Sequence, residues 1–439
     1  MQNEVSGFSK LSKNDKISWI ANAYFSNPED AIALIKKYWN QDLTLQQLHD
    51  EFTENTISNF YLPFGIAPNV LINQKFYTVP MVIEESSVVA AASKAAKYWS
   101  TRGGFKTEVI STEKIGQVHF IFNGNPDKLE SFFQQIAPVL RAETAAFTKN
   151  MEARGGGMKS IELRNKTSQL TNYFQLHVTF ETKDSMGANF INTCLEQLAI
   201  TLKKEALAHD AFSDQEKDLQ IVMSILSNYV TDCIVKAEVS CKVEDLKDKE
   251  IEHPQEFADK FVTAVQIASV EPYRAVTHNK GIMNGVDAVV LATGNDFRAV
   301  EAGVHAYAAK NGTYTSLSTA KIEGGIFTFS LEIPLALGTV GGLTSLHPMA
   351  KLALEILEKP SAPELMQIVA AVGLAQNFAA LRSLTTSGIQ QGHMKMHLNN
   401  ILNQHQATFS EREQVALNFK NKSISHASVV EFLNQLRKS

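Results

Sequence analysis

Apolar positions change texture along this chain. In the first fifty residues Ile17, Ile20, Ala21 and Tyr24 recur at helical spacing, and Asn27-Pro28-Glu29-Asp30 starts a second helix over 31–39. Residues 60–83 read as strand and turn, with Asn73-Gln74 where a hairpin reverses, and an alanine-rich helix follows over 86–99, stopped by Gly103-Gly104. From about residue 106 the period becomes two: 118–122 and 174–180 alternate like half-buried strands. A helical stretch near 127–150 and the run Gly155-Gly156-Gly157 lie between them, and another helix reaches about Ala206. That order predicts a compact α+β insert of roughly a hundred residues ending near 220. Beyond it, 257–270 and 296–310 predict helices, 313–317 and 325–334 predict strands, and a glycine-rich passage runs over 337–342. From Ser387 the chain is polar and helical, over 390–404 and then 425–437.

At 439 residues the chain is long for one core. Hydrophobic residues at 44% and charged residues at 20% are globular composition, and a net charge of −5 gives no general attraction to nucleic acid or anionic membrane. Three cysteines, Cys194, Cys233 and Cys241, form no metal-ligand pattern and point to a reducing cytoplasm without a zinc site. No apolar segment stands behind the charges of the N-terminus, and the run 368–381, broken by Gln376 and Asn377, is too short to span a bilayer. These features predict a soluble cytoplasmic protein.

The densest chemistry lies in His278-Asn279-Lys280-Gly281-Ile282-Met283-Asn284-Gly285 and Ala292-Thr293-Gly294-Asn295-Asp296. A lysine among such small residues calls for a partner, because a desolvated ammonium is costly, and Asp296 is the candidate. A paired, partly buried lysine polarises a carbonyl oxygen or exchanges a proton with it. Arg274 is close enough in sequence to bind a carboxylate bidentately. Glu84-Glu85 at a strand-to-helix junction reads either as a solvated first turn or as a general acid. Asp184-Ser185-Met186-Gly187-Ala188-Asn189 follows a strand and opens a helix, the place where backbone amides hold a pyrophosphate, although the residues alone favour a plain aspartate cap with a tight turn. His393 and His397 are four apart, but no third ligand is spaced nearby, which makes His393 a proton donor sooner than a metal ligand.

Together these segments resemble the 3-hydroxy-3-methylglutaryl-coenzyme A (HMG-CoA) reductase family in its soluble bacterial class II form. The stretch Val79 to Ser93 resembles its glutamate segment, Tyr273 to Gly285 its lysine segment and Ala292 to Ala299 its aspartate segment. Gly388 to Met394 resembles its histidine segment, and Asp184 to Asn189 its cofactor signature. All five occur in the family's order, over about 55–400.

The resemblance implies an α+β fold: a large substrate-binding and dimerisation domain over 1–109 and 221–387, an inserted small dinucleotide-binding domain over 110–220, and a mobile helical cap over 388–439. It implies a four-electron reduction of HMG-CoA through mevaldehyde to mevalonate and CoA, consuming two nicotinamide cofactors. Lys280 would stabilise the oxyanion, Glu85 protonate the aldehyde-level oxygen, Asp296 tune both through a shared network, and His393 protonate the departing CoA thiolate. Arg274, Thr277, Asn284 and Ser87 would bind substrate; Asp184, Met186, Gly187 and Asn189 would bind cofactor. Family members are homodimers with shared active sites, some in higher oligomers. Ser86 and Ser185 depart from the usual proline and alanine. Class II members that prefer NADH carry an acid before the triple glycine; here Thr148 and Lys149 stand there, and Lys149 predicts NADPH over NADH, with a biosynthetic role in the mevalonate pathway. Rival readings are another CoA-thioester or aldehyde oxidoreductase with the same residue set, and a CoA-binding regulatory module.

Overall fold

The computed structural model describes residues 5–386, 398, 400–419 and 424–438. They form two compact units, one ending at Pro63 and one starting at Phe64. The first holds helices Lys13–Tyr24, Pro28–Lys37 and Leu43–Asp50. Ser12 and Asp42 cap two of them, accepting from Asp15 N and from Thr44 and Leu45 N. The segment closes on itself: Lys13 pairs with Asp50 at 2.7 Å, Trp39 Nε1 donates to Ile57 O and Ser58 Oγ to Ile35 O. The first buried residue of the large core is Ala67, in the second unit.

Ten strands are described in the second unit: β1 (Phe64–Ile72), β2 (Lys75–Val82), β3 (Lys106–Val109), β4 (Lys114–Ile121), β5 (Gly157–Asn165), β6 (Tyr173–Glu181), β7 (Gln220–Leu226), β8 (Ile234–Lys242), β9 (Ser318–Glu323) and β10 (Ile326–Pro334). β1 and β2 make the expected hairpin, turned by Asn73 and Gln74, whose φ values of 47° and 69° suit the primed turns that match strand twist. The order β3-β8-β10-β9 forms one antiparallel sheet and β5-β6-β4-β7 another.

Each four-stranded sheet has its own core. On β10, Phe327, Phe329, Leu331 and Ile333 are buried at every second position, packed with Trp99, Phe261 and Phe378. On the other sheet Val118, Phe120, Leu176, Val178 and Phe180 face helices Pro126–Glu152 and Ala188–Ala208. That sheet passes the expected domain edge at 220, because β7 pairs with β4 as far as Gly116 opposite Leu226. A third cluster joins Leu398, Ile401, Leu402, Val415, Phe419, Val429 and Leu433, with helices Phe409–Asn418 and His426–Leu436.

Two expectations change. Residues 313–317 are loop, and the strand begins at Ser318, because the buried Asn279 amide takes the backbone groups a ladder would use: its Nδ2 donates to Thr315 O and its Oδ1 accepts from Leu317 N. The apolar run near 368–381 belongs to a 24-residue helix, Ala362–Thr385, long and apolar enough to cross a bilayer. Here it is the central core helix, buried from Leu365 to Phe378 with little interruption.

Candidate active site

The lysine segment is one helix, Pro272–Ala292. Glu271 caps it, accepting from Tyr273 N and Arg274 N, and Pro272 fills the first turn, where no N–H is needed. Ala275, His278, Asn279, Ile282, Met283, Val286 and Val289 face the core. Steps of three and four residues then line Arg274, Thr277, Lys280, Asn284 and Asp287 along the opposite side. A polar floor fixes the helix from below: His278 Nε2 meets Ser318 Oγ at 2.7 Å, Ser318 Oγ donates to Asn377 Oδ1, and Asn377 Nδ2 donates to the His278 carbonyl. Burial, with Arg274 nearby, lowers the His278 pKa to about 3, so this ring is a neutral strut.

Glu85 reaches the same stripe from the turn between β2 and helix Val88–Ser100. Lys280 Nζ donates to Glu85 Oε2 at 2.7 Å, and Asn284 Nδ2 lies 3.5 Å from that oxygen. The lysine's partner is thus Glu85 and not Asp296. Asp296 caps the next helix, Phe297–Ala308, accepting from Arg298 N and Ala299 N and pairing with the Arg298 guanidinium at 3.2 Å. Nor is Lys280 buried: its side chain is 58% exposed and that of Glu85 39%, because the stripe faces away from the core. Ser87 holds a left-handed conformation (φ 77°) at the start of the following helix. Thr277 Oγ1 donates to the Tyr273 carbonyl. Arg274 is half-buried and has no carboxylate within ion-pair distance among the described residues. His393 lies outside the described residues.

Asp287 ends the stripe and was not among the candidates. Burial, with Glu301 beside it and Glu84 near, raises its carboxyl to about 9, so it is protonated at neutral pH. Glu301 is held ionised by His305, whose Nε2 is 2.7 Å away.

The cofactor signature is the turn between β6 and helix Ala188–Ala208. Gly187 caps that helix without a side chain, and no acid stands in its first turn, which leaves its first amides open to an anion. A second residue missed by the sequence reading, Lys114, braces the turn. It is 4% exposed; its Nζ donates to Thr182 Oγ1 at 2.6 Å and toward Ser185 O at 3.4 Å, and burial lowers its pKa. Lys149 is exposed in the last turn of helix Pro126–Glu152. The chain re-enters the sheet at Gly157, opposite Glu181, which brings this helix end beside the start of the signature turn. The residues fit a dinucleotide: open amides at a helix start, with a cation on a neighbouring helix end.

A model described as hydroxymethylglutaryl-coenzyme A reductase matches residues 15–398. The 3-hydroxy-3-methylglutaryl-coenzyme A reductase of Archaeoglobus fulgidus is 38% identical over 94% of this chain and 90% of its own. A probable 3-hydroxy-3-methylglutaryl-coenzyme A reductase of Borreliella burgdorferi is 34% identical over 82% and 81%. Among solved structures, the class II enzyme of Streptococcus pneumoniae bound to NADPH in open conformations superposes with a TM-score of 0.71 at 35% identity, covering 87% of this chain and 100% of the other.

Proposed function

The chain belongs to the hydroxymethylglutaryl-coenzyme A reductase family, and on that footing we propose how its own residues divide the work of reducing HMG-CoA to mevalonate and CoA. The observation that carries the proposal is the 2.7 Å contact between Lys280 Nζ and Glu85 Oε2. It sets an ammonium and a carboxyl group on one small volume, on the helix stripe that also carries the Arg274 guanidinium, which has no carboxylate partner among the described residues.

A bound nicotinamide supplies the hydride for each of the two reductions. Lys280 hydrogen-bonds the thioester oxygen and then holds the negative charge that grows on it; preorganised charge of this kind is usually the largest part of the barrier lowering. Glu85 gives its proton to the aldehyde-level oxygen. Arg274 holds the free carboxylate of the substrate, with Thr277, Asn284 and Ser87 alongside. Asp296, on the helix that follows, steadies Lys280 and Glu85 once the site closes. His393 protonates the departing CoA thiolate.

The same proposal gives the sheet β5-β6-β4-β7 and its helices to the cofactor, with Asp184, Met186, Gly187 and Asn189 at the pyrophosphate end. Lys149 pairs with a 2′-phosphate, which makes NADPH the preferred reductant over NADH. The sheet β3-β8-β10-β9 and the helices from Pro254 to Thr385 hold substrate. We also propose a homodimer. Val270, which ends the preceding helix, and Tyr273 and Val276 on the lysine helix are 81%, 89% and 52% exposed, an apolar rim that a second copy would cover, drying the Lys280–Glu85 pair. Free thiols at Cys194, Cys233 and Cys241 suit a cytoplasmic setting.

The test is a steady-state assay with HMG-CoA, following NADPH and NADH in parallel. Two cofactors oxidised per substrate, faster with NADPH, support the whole reading. A clear NADH preference removes the role given to Lys149, and no oxidation with either removes the roles given to Lys280 and Glu85.

A further inference from the structure

The Asp184–Asn189 turn does not stand free. Thr339 N and Val340 N donate to Asp184 O at 2.8 and 3.3 Å, Ser185 and Val340 form a parallel bridge, and Ala362 N donates to Asp184 Oδ1 at 2.8 Å. Residues 337–342 therefore run beside the turn as a strap. Gly338 is its contact point: a Cβ there would lie 2.5 Å from Met186 N, a distance side-chain carbons do not reach. On its other side Gly338 N donates to Asn295 Oδ1 at 2.8 Å. Asn295 is fixed in turn. Its backbone N donates to Val290 O, in the last turn of the lysine helix, and its Nδ2 lies 3.1 Å from Thr293 Oγ1. The next residue is Asp296, which caps the following helix.

One chain of contacts thus leads from the signature turn through Gly338 to Asn295, and from there to the end of the lysine helix and to Asp296. Most of its links are backbone atoms. A side chain absorbs a small push by changing rotamer, but where two backbones approach so closely that a Cβ on Gly338 would not fit, the backbone itself has to move. The strap joins two places that the reaction needs filled together.

We propose that Asn295 is a positioning residue that couples cofactor binding to HMG-CoA binding. A dinucleotide seated on the Asp184–Asn189 turn fixes Gly338, Gly338 fixes Asn295, and Asn295 sets Asp296 and the end of the lysine helix in the geometry that HMG-CoA requires. The inference rests on the cofactor placement given above. Because coupling between two binding sites is reciprocal, each ligand tightens the other by one common factor.

NADP+ tests this, since the oxidised cofactor forms a ternary complex with HMG-CoA that cannot turn over. Calorimetry on the full chain gives the Kd of HMG-CoA with and without saturating NADP+, and the Kd of NADP+ with and without HMG-CoA. The wild type is expected to show the same tightening in both directions, about 5-fold or more. Asn295→Ala should bring both ratios to about one while each ligand alone still binds. Asn295→Asp keeps an acceptor for Gly338 N and should restore most of the ratio; a merely structural asparagine predicts no such rescue. Gly338→Ala, which displaces Met186 from the other side of the contact, should also lose the coupling, and it decides the matter if Asn295→Ala does not fold. A wild-type ratio of one, or a full ratio in both Asn295→Ala and Gly338→Ala, overturns the inference. Failure of NADP+ to bind the wild type at all would instead remove the cofactor placement, and the coupling with it.

Discussion

Lys280 and the Asp184–Asn189 turn are held in place by opposite means. Lys280 stands on a long helix whose inner face is sealed by the central core helix and by the His278–Ser318–Asn377 network. The signature turn is fixed by hydrogen bonds: Lys114 of β4 and Thr182 just past β6 on one side, Thr339 and Val340 of the strap and Ala362 at the start of the central helix on the other. Charge on a substrate oxygen needs a rigid donor, since donors that reorganise lose most of their advantage. A cofactor that enters and leaves in each half-reaction needs a seat that is shaped yet released by small movements. Packing supplies the first and directional polar contacts the second.

If that division holds, loss of the lysine should appear in turnover, loss of Arg274 in substrate binding and damage to the turn in cofactor binding. The largest effect is expected from Lys280→Ala, which should lower kcat by about 10³-fold with HMG-CoA while CoA binding and the circular dichroism spectrum persist; turnover near wild type would end the assignment. Arg274→Ala should raise the KM for HMG-CoA by about 10- to 100-fold, the worth of a charge-assisted pair, with far less effect on mevaldehyde-independent NADPH binding measured by fluorescence. Asn279→Ala strands Thr315 O and Leu317 N, and should cost about 1–3 kcal/mol in urea unfolding.

A smaller effect concerns pH. The Asp287 carboxyl is raised to about 9 in the folded chain, above its unfolded value, so its contribution is fully present below the unfolded pKa and is lost as pH rises toward 9. Asp287→Asn keeps the neutral shape and should lessen the fall in melting temperature between pH 6 and pH 9; an unchanged slope would show that Asp287 is ionised. Smallest of all, Lys149→Ala should reduce the NADPH-over-NADH ratio of kcat/KM only a few-fold, because an exposed ion pair is worth about 1 kcal/mol or less. An unaltered ratio would move cofactor choice elsewhere.

Much of the fold was legible because it follows periodicity. Alternation marked β4 and β6, and Asn73-Gln74 marked the first hairpin. The lysine helix was harder to see. Its glycines and asparagines are poor helix formers, and they sit there for tertiary reasons: a Cβ on Gly285 would lie 2.7 Å from Val372 O, so glycine lets two core helices touch. The strand expected over 313–317 failed for a similar reason, since a distant asparagine takes its hydrogen bonds. β7 escaped notice because Val222, Met223 and Ile225 leave apolar side chains on its open side and blur the alternation. Within the site, the family resemblance placed Glu85 with Lys280, but no local pattern reveals that Asp296 contacts Arg298 or that Asn295 carries the strap. Those partners are far apart in sequence or too common locally to stand out.

The buried helix Ala362–Thr385 bears on how the chain is made. As it leaves the ribosome it presents the kind of apolar segment that membrane-insertion machinery accepts. Its partners are helices Val88–Ser100, Pro254–Val270 and Pro272–Ala292 and strands β3, β8 and β10, all synthesised before it. Its binding groove can therefore exist before the segment emerges. Placing this long apolar helix late lets folding compete with mistargeting during translation itself, and a circular permutation that moved it to the front of the chain would forfeit that protection.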